Sequence, residues 1–142
     1  MSDARLRPFH LAIPVAELDA TGRFYTETLG CVVGRTAERW LDLDFFGHQV
    51  TLHVVEEADS VRTNAVDGDA VPARHFGVIL SPADWHTLAQ KLEAEGADFL
   101  IKPRTRFAGE PGEQSTLFVR DPSGNALEFK SFADDKQIFA TS

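Results

Sequence analysis

The chain repeats itself once, and that duplication constrains its fold more than any other feature. "PFHLAIP" and "ARHFGVIL" each read as a short strand with a histidine near its start, His10 and His75. A helical pattern ending in glycine follows each of them. In the first, Leu18, Thr21, Tyr25 and Leu29 recur at helical spacing and Gly30 closes the run. In the second, Ser81 is placed as N-cap, Pro82 as the first helical residue and Asp84 as a capping-box-like partner. Trp85, Leu88, Ala89 and Leu92 then form one apolar stripe that Gly96 stops. Three strand-like runs follow each helix: "CVVGRTAERW", "LDLDFF" and "HQVTLHVV", then "DFLIKPRTRF", "QSTLFVR" and "NALEFKSF". A glycine introduces each last strand, Gly47 and Gly124, the second inside the strong turn signal "DPSGN". Each half is therefore β-α-β-β-β.

This pattern predicts an α+β protein in which two βαβββ units form an open, mixed, barrel-like cavity with the helices outside. The whole chain, 1–142, is expected to be one domain: unit 1 at about 7–56, a linker at about 57–73, unit 2 at about 74–132 and a tail at 133–142. The linker reading rests on the polar, turn-rich stretch "EEADSVRTNAVDGDAVPA". A hydrophobic content of 43% is enough for a real core.

Alternation along the strands sorts the side chains into two faces. Phe9, Leu11 and Ile13 suit packing against a helix, as do Phe76, Val78 and Leu80, and Leu127 and Phe129. That leaves His10, His75 and Glu128 on the opposite face of their strands, together with Gln49, Thr51 and His53. If those faces enclose a cavity, two imidazoles and one carboxylate converge. Such a set, with open positions beside it, is the facial triad used for non-haem Fe(II) and related divalent metals. A lone strand carboxylate is usually just solvated, and a lone histidine is more often scaffold than ligand. The equivalent placement of two histidines in two copies favours metal binding.

Charge and composition remove other classes. A net charge of −8 repels nucleic acid and anionic membranes, so neither is expected as a partner. No apolar run approaches the ~20 residues that span a bilayer, and the N-terminus lacks a signal-type apolar segment. The single cysteine, Cys31, rules out an internal disulfide and fits a cytoplasmic location; it reads as a small buried hydrophobe.

"FHLAIPV…FYTETLG", "RHFGVIL" and "FVRDPSGNALEF" resemble the vicinal oxygen chelate superfamily of glyoxalases, bleomycin-resistance proteins and extradiol dioxygenases. The likeness runs from about Arg7 to Phe132. It implies paired βαβββ units around one divalent metal per chain, with His10, His75 and Glu128 as ligands. Fe(II) is the favoured ion, with Mn, Ni or Zn as alternatives. Glyoxalase I enzymes take a further ligand from the fourth strand of the first unit. Here Thr51 stands four residues after Gly47, as Glu128 stands four after Gly124. Threonine is a poor ligand, so the three-ligand pattern looks more like extradiol dioxygenases and fosfomycin-resistance thiol transferases.

The resemblance also places an acid–base histidine near His48, with His53 as the alternative if the register slips; the plain reading of His48 is a turn cap after Gly47. Thr51, Trp40, Gln114 and Phe118 are weaker substrate-side candidates. The expected activity is extradiol-dioxygenase-like oxidation of a small vicinal-oxygen substrate. A glyoxalase-type lyase or isomerase, or a fosfomycin-type thiol transferase, is the first alternative; a metal-free drug-binding resistance protein is the second. A homodimer is expected, because short twisted sheets leave edges to cover.

Overall fold

The computed structural model describes residues 6–56, 63–66 and 69–141. The chain divides into two compact units at residues 58 and 59, each of which is described by itself.

The first unit holds β1 (His10–Val15), α1 (Asp19–Arg23), a π-helical turn (Phe24–Thr28), β2 (Val32–Thr36), β3 (Trp40–Phe45) and β4 (His48–Val54). Its sheet has the order β1-β4-β3-β2, with β1 parallel to β4 and the other pairs antiparallel. Ile13, Val15, Leu41, Leu43, Phe45, Val50 and Leu52 are buried, so one face of the sheet is core. The helix is α for only five residues before it widens: Leu29 N–H reaches back to the Phe24 carbonyl at 3.1 Å. Glu17 starts it in place of an N-cap side chain, accepting from the backbone N–H groups of Ala20 and Thr21 and from the Thr21 hydroxyl. Slight burial raises the Glu17 pKa, but these donors outweigh it and hold the carboxyl below its ordinary value. Phe9, expected against the helix, is 65% exposed because it precedes β1.

The second unit holds β5 (Thr63–Val66), β6 (Asp69–Pro72), α2 (Pro82–Ala94), β7 (Asp98–Arg106), β8 (Gln114–Arg120) and β9 (Ala126–Phe132), followed by a 3-10 turn (Asp135–Gln137). β7, β8 and β9 form an antiparallel sheet in that order. Residues 76–80 run parallel beside β9 through bridges at Phe76–Leu127 and Ile79–Lys130. This segment is the counterpart of β1, so the spatial order of the first unit recurs. Ser81 caps α2 by accepting from Asp84 N–H at 3.2 Å, and Trp85, Leu88, Ala89 and Leu92 are all buried. The Trp85 indole N–H donates to the Phe129 carbonyl at 2.8 Å, tying the helix to β9.

One feature differs from the sequence reading. The stretch expected to be a linker pairs as an antiparallel hairpin, β5 with β6; residues 57–62 and 67–68 of it lie outside the described residues. Val71 from this hairpin is buried against Ile101 and Phe118, so an apolar contact recruits a segment whose average composition is polar. Each sheet is open; none closes on itself among the described residues.

Candidate functional site

The backbone ladders decide which side chains are neighbours. In the first unit His10 pairs with Gln49 and Ala12 with Thr51, while Thr51 pairs in turn with Asp42. In the second unit the bridges put Phe76 against Leu127, so Gly77 lies beside Glu128. Leu11 pairs with Val50 just as Phe76 pairs with Leu127, which makes Thr51 the structural counterpart of Glu128. Gly77 is needed there: a Cβ on it would meet the Glu128 carbonyl oxygen at 1.5 Å.

His75 and Glu128 come together. The His75 Nδ1 lies 2.9 Å from the Pro72 carbonyl, which can only accept, so Nδ1 carries a proton. Nε2 faces Glu128 Oε1 at 3.4 Å. The other carboxylate oxygen, Oε2, accepts from the Thr116 hydroxyl at 2.5 Å. The Phe118 ring packs edge-on to His75 with centroids 5.0 Å apart and walls one side. A backbone oxygen thus fixes the imidazole tautomer and a hydroxyl fixes the carboxylate, which is how ligand side chains are oriented around a metal. Two donor atoms each ~2.1 Å from one cation stand roughly 3.0–3.4 Å apart. The 3.4 Å gap therefore fits a shared cation. It is long for a charge-assisted N–H···O hydrogen bond, which runs at about 2.7–2.9 Å; the other reading of the gap is an imidazolium paired with the carboxylate.

His10 is prepared in the same way. Its Nδ1 lies 2.8 Å from Gln49 Oε1, and with the Gln49 amide so oriented the oxygen accepts and Nε2 keeps its lone pair. His10, Asp42, Gln49 and His48 line a cavity of about 630 Å³ in the first unit. Asp42 accepts from the Thr51 hydroxyl at 2.6 Å. Within either unit, among the described residues, no three side chains of His, Cys, Asp or Glu are gathered closely enough to hold an ion.

The remaining candidates fall out differently. His48 accepts the Phe9 backbone N–H on Nδ1 at 2.8 Å and pairs with Phe45, so it pins the approach to β1 and leaves only Nε2 for chemistry. His53 is exposed, opposite Pro14 and Trp40. Trp40 is half-buried at the start of β3. Gln114 touches the Gly112 carbonyl at 3.5 Å, and Phe118 is buried with Ile101 and Val71. Sequence reasoning missed the Pro72 carbonyl, which lay in the supposed linker. It offered Thr116 and Asp42 only as substrate-side candidates, on strands whose facing periodicity left open.

Comparison with known proteins follows the same lines. A family model described as the Glyoxalase/Bleomycin resistance protein/Dioxygenase superfamily matches residues 7–129. A virulence protein of Salmonella typhimurium is 27% identical over 124 residues, covering 87% of this chain and 82% of that protein. A glyoxalase/bleomycin resistance protein/dioxygenase from Alicyclobacillus acidocaldarius superposes with a TM-score of 0.77 at 34% identity, covering 93% of this chain and 96% of that one. A fosfomycin resistance protein from Listeria monocytogenes superposes at 0.67 with 14% identity, over 97% and 100% of the two chains, which is a likeness of fold.

Proposed function

The chain belongs to the glyoxalase/bleomycin resistance protein/dioxygenase superfamily, and we propose that it is a divalent-metal-dependent enzyme that acts on a small molecule through two vicinal oxygens. One observation carries this reading: a tautomer-fixed His75 Nε2 and a hydroxyl-fixed Glu128 Oε1 face each other at 3.4 Å, ready for a cation. His10, anchored through Nδ1 in the same manner, supplies the third ligand, from this chain or from a second copy in a homodimer. When bound, a divalent ion supplies Lewis acidity to substrate oxygens and, as Fe(II), a place for dioxygen.

The protein's own residues do the rest. His75, Glu128 and His10 set the ligand geometry, Thr116 and Pro72 hold the second unit's ligands still, and Phe118 keeps water from one side of His75. Orientation of this kind lowers the barrier by removing freedom before reaction. The Nε2 of His48, or His53, is the proton carrier in this scheme.

The favoured reaction is extradiol-dioxygenase-like oxidation of a catechol or enediol. Protein loaded anaerobically with Fe(II) then consumes oxygen with members of a catechol panel; no uptake across the panel overturns that reaction. Activity under nitrogen with a thiol and either a 2-oxoaldehyde or fosfomycin instead assigns a redox-silent lyase, isomerase or thiol transferase. Elemental analysis of protein purified without chelator or affinity tag tests the common premise. About one equivalent of Fe, Mn, Ni or Zn per chain is expected. Metal-free protein that binds a cationic drug would replace this reading with sequestration.

A further inference from the structure

Two neighbouring rows of the second unit's sheet share a face, and the metal reading uses only one of them. The first row pairs Phe118 with Glu128 and carries the contact to His75. The second joins Arg104 of β7, Thr116 of β8 and Lys130 of β9, with Ile79 beyond them. Glu128 and Lys130 stand two residues apart on one strand, so they point the same way with Cα positions about 6.8 Å apart. The Thr116 hydroxyl joins the rows, because it donates to Glu128 Oε2 at 2.5 Å. A chain of net charge −8 thus sets two cations in the row beside Glu128.

Lys130 stands beside a carboxylate and does not pair with it. Glu128 is engaged by His75 and Thr116. The Lys130 ammonium lies instead 5.4 Å from the centroid of the Phe132 ring, further along β9 and away from Glu128. Among the described residues its side chain has no hydrogen bond and no ion pair, so no structural partner there requires the charge. An ammonium resting on an aromatic face is weakly held. The flexible four-carbon stem of lysine lets it turn to a stronger, anionic partner. Ile79, 44% exposed in the same row, adds apolar surface beside it.

We propose that Lys130 holds an anionic group of the substrate, a carboxylate placed one sheet row away from the vicinal oxygens that meet the ion. This rests on the metal reading above and narrows its substrates to acids. The row spacing of about 6.8 Å is comparable with the reach from a ring hydroxyl of a catechol to a carboxylate para to it. Lys130 supplies the charge and Ile79 borders the body of the ligand. Anchoring at this remote point orients the reacting oxygens, and Lys130 itself exchanges no proton with them.

Calorimetry on Zn(II)-loaded protein tests this without turnover, with protocatechuate and its uncharged amide as probes. Wild type is expected to bind the acid at least about tenfold more tightly than the amide. Lys130→Met keeps most of the stem and removes the charge. It is expected to lose about tenfold for the acid and to stay within about threefold for the amide. Lys130→Arg is expected to keep the preference for the acid. Lys136→Met, an equal loss of charge on the 3-10 turn, is expected to change neither affinity. Should Lys130→Met fail to fold, Lys130→Gln carries the same expectation. Wild type that binds both probes equally, or a Lys130 variant that weakens both equally, overturns the role of Lys130 and leaves the metal reading standing. Equal losses for the acid in the Lys130 and Lys136 variants also overturn it, since only the general field would matter. No binding of either probe overturns the proposed substrate class. A Lys130-dependent preference for the acid that persists undiminished in EDTA keeps the anion site and removes the metal reading.

Discussion

A single missing Cβ lets Gly77 pack beside Glu128 within the second unit. Gly77 lets residues 76–80 lie against β9 so closely that a Cβ would overlap the Glu128 carbonyl. Gly77→Ala must therefore push the two segments apart, at a cost of at least about 2 kcal/mol. Denaturant melts should show that loss, and metal affinity should fall with it because Glu128 moves. Thr116→Val tests orientation instead. The valine is close in volume but leaves Glu128 Oε2 without its donor, and removing such a partner weakens metal binding by roughly 10–100-fold; titration of the variant measures it. Cys31 belongs to the scaffold. Burial, with help from the Asp44 charge, pushes its thiol from 9.0 up to about 12. A disulfide reagent at pH 8 should leave the folded protein untouched and titrate one thiol after denaturation. Because the raised value belongs to the folded state, the thiol's contribution to stability is intact below pH 9 and is lost as pH rises toward 12. His10, His75 and Glu128 could be nominated from the sequence because position in a repeat is a one-dimensional property. The hydrogen bond from Thr51 to Asp42 could not be read there, since it depends on which strand lies beside β4.

Among the elements, α2 was the easiest to read and the first helix the hardest. Ser81, Pro82, the apolar stripe and Gly96 all act locally, and each does what its chemistry demands. Ser81→Ala should destabilise the protein by about 1 kcal/mol, the usual worth of an N-cap, without changing metal content; thermal melts and elemental analysis check the two halves of that statement. The π-helical turn at Phe24–Thr28 left no comparable mark. It comes where Tyr25, fully buried, packs edge-on to Phe45, a contact made far along the chain. The hairpin of β5 and β6 escaped for the same reason. Its polar stretch earns its place only through Val71 against Ile101 and Phe118, and through the Pro72 carbonyl that holds His75.

For the molecule as a whole, metal and fold should be linked. An ion bound only by the folded state stabilises it by about 2.7 kcal/mol at a hundred times its dissociation constant. Protein melted with saturating metal should thus unfold at a higher temperature than protein in EDTA; equal melting temperatures would argue against a built site. Duplication, the α+β class and the succession of elements in each half were determined by the sequence alone, because they follow from periodicity, capping and turn chemistry that act over a few residues. Tertiary structure alone decided that Thr51 answers to Glu128, that the Thr51 hydroxyl donates to Asp42, and that His48 is tied to the backbone of Phe9. The physical reason is that hydrogen bonds between strands join residues whose separation along the chain carries no signal. Which atoms meet is fixed by register, and register exists only once the sheet has formed.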